Sequence, residues 1–518
     1  MATVFTSPLP DVEIPNDHIT RVVFGRAAEL ADKTALIDGP TGRSYTYAQL
    51  QGAVMKAAGG LAARGFGRGD VLAILAPNIP EYAIAFHAAA TVGGTVTTIN
   101  PLYTAEEVRF QLEDTATRMI VTIPMFLDTA RKAAEGLGVE EIFVFGEAEG
   151  ATPFAALAAA DAVEGLAEVD PADDVVVIPY SSGTTGFPKG VMLTHRNLAA
   201  NLAQGEHVIA LDDDEVVVAV LPFFHIYGMQ VLMNGVLYNG ATTVTMPRFD
   251  LAEFLRIIQD HGVTRAYIVP PIILALAKHP MVDEYDLSSL DVIFSGAAPL
   301  GAEVEQAAAE RIGAHVVQGY GLTETSPVTH AVAPGKGRSG SIGYAISNTE
   351  VRLVDPVSGD DVGVGEEGEL WIRGPQVMKG YFNNEEATRN AIDADGWFHT
   401  GDIGTVDGDG YWFITDRLKE LIKYKGFQVP PAELEALLTA HPAVADAAVV
   451  PHPDEEAGEV PKAYVTLKPG QDVTAAELQE YVAGHVATYK QIRYLEFIEE
   501  VPRSAAGKIL RRVLRDRE

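Results

Sequence analysis

The sequence predicts an α/β fold: a large N-terminal domain of two α/β subdomains plus a small β subdomain, then a smaller α+β C-terminal domain. Three observations carry this expectation. A chain of 518 residues exceeds what one hydrophobic core ordinarily fills, so at least two domains are expected. Two stretches, within 45–145 and 216–317, alternate strand-like apolar runs with helical patterns, which implies parallel sheets covered by helices. After Ser339 the rhythm changes to short β runs and turns, and from about Leu418 to a mixed α and β pattern.

In order along the chain, Tyr47–Ala63 reads as an amphipathic helix and Val71–Leu75 as a strand. Pro80–Ala90 is helical, with proline at a permitted first turn, and Thr95–Ile99 is again a strand. Met119–Thr122 and Ile142–Phe145 continue the alternation. The Ala- and acid-rich stretch Gly146–Asp174 reads as a surface excursion with a short helix. Val175–Ile178 is an apolar run leading into a glycine- and hydroxyl-rich loop. The second series contributes strands at Val217–Leu221, Thr243–Thr245 and Val292–Phe294. Glu350–Val354 and Glu369–Ile372 are β runs of the small subdomain, about 340–415. The last hundred residues predict a helix at Pro431–Ala440, a strand at Ala445–Val450 and a helix at Thr474–His485. Thr474 and Glu477 have the spacing of a capping box. The expected domains are 1–418 and 419–518.

Composition excludes several classes. The chain is 47% hydrophobic and has no run approaching the ~18 apolar residues of a membrane span. Its first residues lack the pattern of a secretory signal, and no cysteine is present, so disulfides, thiolate metal sites and cysteine nucleophiles are ruled out. A cytoplasmic setting is expected. The net charge of −33 disfavours nucleic acid and anionic membranes. It also opposes anionic small molecules, so a site for them needs local cations such as Lys189, Arg417, Lys423, Lys425 and Lys508.

The chemistry concentrates in Tyr180-Ser181-Ser182-Gly183-Thr184-Thr185-Gly186-Phe187-Pro188-Lys189-Gly190, which holds five hydroxyls, three glycines and one lysine. Exposed backbone N–H groups and hydroxyls can wrap polyphosphate oxygens, and Lys189 adds a point charge. The spacing is not that of the common phosphate loop, which needs Gly-Lys-Ser/Thr at its end. The string resembles the phosphate loop of the adenylate-forming superfamily: acyl-CoA synthetases, firefly-type luciferases and peptide-synthetase adenylation domains. Further blocks follow in family order. Gln318–Thr325 resembles the adenine and metal segment; Gly380-Tyr381 with Thr400-Gly401-Asp402 resembles the ribose segment. Asp416–Lys423 resembles the domain hinge, and Pro502–Lys508 the segment bearing the catalytic lysine.

The resemblance implies ATP, CoA, Mg²⁺ and a small-molecule carboxylic acid as reactants. It implies that Ser181, Ser182, Gly183, Thr184, Thr185, Gly186 and Lys189 hold the β- and γ-phosphates. Thr323 would contact the α-phosphate and Glu324 would bind the metal. Gly296, Ala297, Ala298, Gln318, Gly319, Tyr320 and Gly321 would form the adenine pocket. Asp402 would accept from the ribose hydroxyls, Arg417 would contact ribose or phosphate, and Lys508 would bridge the attacking carboxylate and the α-phosphate. A mobile C-terminal domain would swing about Lys419 for the thioester step, bringing in Lys423, Lys425, Gly426 and Gln428.

The block Pro222–Met229 is similar to 4-coumarate–CoA ligases, including their His-Ile-Tyr order, as is Leu421–Val429. On that basis His225, Ile226, Tyr227, Gly296, Gly319, Gly321, Pro327 and Val328 would line the acid pocket. Plant members often carry lysine where Phe294 stands, and Phe294 offers no donor for a ring hydroxyl. An aromatic acid of the 4-coumarate or cinnamate type leads. A substituted benzoate, a medium-chain fatty acid, a luciferase-like oxygenase or a carrier-protein-loading adenylation protein remain alternatives.

Overall fold

The apolar runs pair into two large sheets, with helices between and around them. The computed structural model describes residues 3–181, 188–209, 211–418, 420–424, 427–454, 457–486, 488–504, 507–515 and 517, with the backbone alone at 427 and 428. Val71–Leu75, buried at every position, lies in the middle of an eight-stranded sheet. Thr95–Thr98 and Val175–Ser181 flank it on one side. Met119–Thr122, Glu141–Val144 and Thr152–Pro153 flank it on the other, all parallel. Lys189–Thr194 and then Gly380–Tyr381 extend the first edge antiparallel.

The second sheet runs His315–Gln318, Val292–Ser295, Arg265–Ile268, Val216–Ala219, Thr242–Thr245, Thr34–Asp38, Ser44–Thr46, parallel except for the last pair. Thr34–Asp38 thus joins a sheet whose neighbouring strand is some 200 residues away in sequence, a pairing no local pattern announces. Helix Pro80–Thr91 buries every residue except Glu81. An all-round apolar helix belongs inside, and here Tyr82 meets Phe223 edge-on at 5.7 Å, joining the two α/β units into one core.

The stretch 146–174 is more than a surface excursion. Thr152–Pro153 pairs with the first sheet, and Phe154 and Leu157 are buried. Helix Tyr47–Ala62, closed by a Thr46/Gln49 capping box, presents Gly59 and Gly60 to this segment. A Cβ on Gly60 would stand 2.3 Å from the Leu157 carbonyl oxygen, so the segment seats on a helix face cleared of side chains.

Phe5–Thr6, Glu350–Val354, Gly368–Arg373, Phe398–Val406 and Trp412–Arg417 form a five-stranded antiparallel sheet. Beyond it lies a small α+β unit with its own core around Ile422, Val449 and Leu478. Its helices are Pro431–Ala440 and Ala475–Ala483, and the predicted Thr474/Glu477 capping box is formed. The architecture is the expected mixed α/β one.

Candidate active site

A cleft of about 670 Å³ opens where loops leave the ends of both large sheets and meet the small unit. Binding crevices of open α/β sheets lie at such strand ends. Ser181, Lys189, His225, Thr323, Glu324, Tyr381, Arg417, Ser504 and Lys508 all line it. Ser182, Gly183, Thr184, Thr185, Gly186, Lys419, Lys425 and Gly426 lie outside the described residues, as does the side chain of Gln428.

Lys189 starts the returning strand, and cross-strand pairing of Val191 with Tyr381 fixes what it faces. Its Nζ stands 4.7 Å from the Tyr381 ring centre, a cation–π contact. The Tyr381 hydroxyl donates to Glu324 Oε1 at 2.9 Å, and Glu324 is only 9% exposed. Burial and the Glu324 carboxylate both push the Tyr381 phenol up, so it stays a donor. Gly380 has φ +150, and a Cβ there would come within 2.7 Å of Thr388, so only glycine suits this approach. Tyr381 was legible as part of a motif; its grip on Glu324 depends on a register set across 190 residues.

Arg417, which also lines the cleft, is joined at 3.0 Å to its cross-strand partner Asp402, buried beside it. Tyr320 donates its hydroxyl to Asp402 Oδ2 at 2.5 Å. Asp402 is 3% exposed and holds the Arg417 guanidinium above its usual range. Ser504 and Lys508 close a tight turn, Ser504 N–H donating to the Lys508 carbonyl at 2.8 Å. Gly507 adopts φ +78 and packs on Val269, which seats the turn against the large domain. The Lys508 ammonium is lowered, chiefly by burial and then by Arg417, against the pull of Asp402, Glu324 and Glu420. Two cations that repel each other across one cleft are relieved by an anion between them.

Gln318 serves the loop rather than the cavity. Its side chain accepts from Leu300 N–H at 3.0 Å and donates to Glu305 at 2.9 Å, shaping the turn that contains Gly296, Ala297 and Ala298. Ala297 takes φ +70 in that turn. Lys423 stands exposed on strand Ile422–Tyr424 and does not line the cleft; Lys508 does.

His225 lines the cleft and accepts from Tyr227 N–H at 3.2 Å. Burial, with Lys508 close by, lowers it to about 3, so it is neutral. The other acid-pocket candidates stack behind it. Tyr227 covers Gly296, where a Cβ would be 2.6 Å from its ring; Phe294 covers Gly319 at 2.5 Å. Phe294 and Tyr267 lie 5.4 Å apart at 34°. Gly321 abuts the Pro327 carbonyl, and Val328 is clamped in both directions by the Asn201 amide. Ile226 is 1% exposed. Of the acid-pocket candidates His225 alone lines the cleft; the others are aromatic or apolar and lie buried or half-buried beside it, and Asn201 is a support that no motif announced.

The model of the AMP-binding enzyme family matches residues 23–382, and that of the AMP-binding enzyme C-terminal domain matches 433–508. The chain is 46% identical to 4-coumarate–CoA ligase 3 of Oryza sativa subsp. japonica, over 99% of this chain and 95% of that one. It is 43% identical to 4-coumarate–CoA ligase 1 of Petroselinum crispum, over 99% and 96%. Among solved structures it resembles the anthranilate CoA ligase AuaEII in complex with anthranoyl-AMP, with TM-score 0.91, 28% identity and 98% of each chain covered. ATP-bound MatB from Rhodopseudomonas palustris gives TM-score 0.89 at 29% identity, over 97% of this chain and 99% of that one.

Proposed function

The chain belongs to the AMP-binding enzyme family and is an AMP-forming acid–CoA ligase; from that premise we propose that its acid is aromatic, of the arylpropenoate type. The likeness to 4-coumarate–CoA ligases and the aromatic rings packed beside His225 carry the choice of acid, and the convergence of Lys189, Arg417 and Lys508 with Glu324 on one cleft carries the chemistry. A carboxylate and ATP repel each other, so the site has to neutralise charge and align them. In the first half-reaction the acid's oxygen attacks the α-phosphorus and pyrophosphate leaves. Lys508 bridges the incoming carboxylate and the α-phosphate, with Arg417 beside it. Thr323 contacts that phosphate, while Lys189 and the 181–186 loop hold the β- and γ-phosphates. Asp402 orients the ribose, and the Gly296–Ala298 turn with Gln318–Gly321 receives the adenine.

A magnesium ion fits Glu324. The carboxylate is buried at the cleft wall and oriented by Tyr381, and Mg²⁺ ordinarily takes one or two carboxylates plus substrate phosphates. Among the described residues no cluster of three or more His, Cys, Asp or Glu forms a ready-made cage, in keeping with a metal that arrives with the nucleotide. The ion would supply charge neutralisation at the phosphates.

In the second half-reaction the CoA sulfur attacks the acyl carbonyl carbon and AMP departs. The domains 1–418 and 419–518, hinged near Lys419, would exchange Lys508 for the strand carrying Lys423 and Gln428, with Lys425 and Gly426 beside the CoA tail. The rings of Tyr227 and Phe294, packed on Gly296 and Gly319 beside the cleft, support a flat acid, and the absence of a donor at Phe294 favours a ring without a hydroxyl there. A cytoplasmic setting supplies ATP and CoA and fits the cysteine-free composition; no helix among the described residues is long and apolar enough to cross a membrane.

A panel of cinnamate, 4-coumarate, benzoates and medium-chain fatty acids, scored for AMP release with and without CoA, tests this. Thioester from arylpropenoates is expected, with cinnamate at least matching 4-coumarate. Turnover confined to fatty acids would overturn the acid assignment.

A further inference from the structure

Tyr227 begins a nine-residue π-helix, Tyr227–Gly235, whose residues are all buried. π-helices mostly occur as single turns, so a run of this length needs outside support. That support is a continuous chain of buried polar side chains. Gln230 Nε2 donates to the Leu198 carbonyl at 2.7 Å. Asn234 Nδ2 donates to Gln230 Oε1 at 3.0 Å. Asn234 Oδ1 meets His87 Nε2 at 3.2 Å, and His87 Nδ1 meets Thr20 Oγ1 at 3.1 Å. Gln230, Asn234 and His87 are each 1% exposed or less.

One carbonyl fixes every direction in this chain. The Leu198 oxygen can only accept, so Gln230 turns its nitrogen to it and its oxygen to Asn234. Asn234 therefore donates to Gln230 and presents its own oxygen to His87. His87 must then carry its proton on Nε2, and Nδ1 accepts from the Thr20 hydroxyl. Burial keeps His87 neutral, so this tautomer persists at working pH. A water-sized cavity of about 20 Å³ lies against Gln230, Val231 and Gly235, so packing alone does not clamp the π-helix there. At the far end of the same helix, Tyr227 covers Gly296 and its hydroxyl reaches the Phe294 carbonyl at 3.4 Å.

We propose that the Thr20–His87–Asn234–Gln230 chain is a strut that sets the position of Tyr227 and, resting on the reading of Tyr227 as a wall of the acid pocket, makes His87 and Asn234 positioning residues for acid binding. Neither lines the cleft nor touches the reactants. Breaking the strut lets the π-helix shift and misplaces the acid's wall, while the nucleotide contacts on Glu324, Asp402 and Arg417 stay in place.

The test is acid-dependent ATP–pyrophosphate exchange with cinnamate, recording KM for acid and for ATP separately. His87→Leu and Asn234→Leu should each raise the acid KM about tenfold and leave the ATP KM within twofold. His87→Gln, whose amide can donate to Asn234 and accept from Thr20, should restore the acid KM to within threefold of the parent. Equal shifts in both KM values, unchanged acid KM, or His87→Gln behaving like His87→Leu would overturn the strut. If the leucine variants do not fold, Asn234→Asp, which keeps the acceptor for His87 but loses the donor to Gln230, decides it beside His87→Gln: the acid KM should rise in Asn234→Asp and stay within threefold in His87→Gln, and an acid KM unmoved in Asn234→Asp, or moved together with that of ATP, overturns it. Parent protein silent with every acid would instead overturn the ligase reading beneath it.

Discussion

Tyr381 shows how much one hydroxyl contributes at the residue scale. It holds Glu324 by a hydrogen bond to a carboxylate in a nearly dry wall, an interaction worth about 1.5–3 kcal/mol. Tyr381→Phe should raise the KM for ATP about tenfold in pyrophosphate exchange (roughly 1.4 kcal/mol) and leave the acid KM near its parent value. A larger effect on the acid would place Tyr381 elsewhere in the chemistry. Residues of this kind divide by how far their partners lie in sequence. Lys508, Glu324 and Asp402 could be read from motifs because each motif carries its residue type. The Tyr381–Glu324 bond and the Asn201 clamp on Val328 could not, because each depends on chain segments 57 and 127 residues apart being brought together.

At the scale of elements, helix Tyr47–Ala62 separates two meanings of glycine. Gly52 has nothing within 4 Å of a Cβ, while Gly60 is pressed against the Leu157 carbonyl. Gly52→Ala should stabilise by about 0.5–1 kcal/mol through helix propensity. Gly60→Ala should destabilise by roughly 1–3 kcal/mol through overpacking against backbone. Urea midpoints of the two variants check both signs, and equal shifts would contradict the seating of the 152–157 segment. The helices and central strands were legible because 3.6- and 2-residue periods are local. The seat for Leu157, the edge strand Gly380–Tyr381 and the π-helix were not, because each answers to a distant surface. Tyr227–Gly235 has an ordinary apolar composition, and only the buried amides Gln230 and Asn234 hint that its backbone is unusual.

For the whole molecule, several buried groups set how stability responds to acid. Burial lowers His87, His195, His225 and His330 to about 3 from an ordinary 6.5. These side chains fold neutral, so their contribution is fully present above pH 6.5. It is lost as pH falls through the 6.5–3 window, at about 1.4 kcal/mol per pH unit per histidine. Two carboxyls act in the opposite sense. Burial raises Asp416 to about 7, so it keeps its proton in the fold below that pH, and burial also raises Glu435 against the pull of Arg511. Four histidines against two carboxyls leave a net proton uptake on unfolding near pH 5–6. Chemical-denaturation midpoints should therefore fall between pH 7 and pH 5, and a midpoint that rises over that interval would contradict the burial of these histidines.

The proposed function rests on charge as well: a chain of net charge −33 gathers Lys189, Arg417 and Lys508 around one cleft, where we propose that two anions meet. The most direct measurement is exchange of labelled pyrophosphate into ATP by the parent and by Lys508→Ala, beside thioester formation from supplied acyl-adenylate and CoA. The parent should exchange label only when an acid is present, and Lys508→Ala should lose about a hundredfold or more of that exchange (roughly 2.7 kcal/mol) while retaining thioester formation. No acid-dependent exchange by the parent, or equal loss of both half-reactions in the variant, would contradict the account.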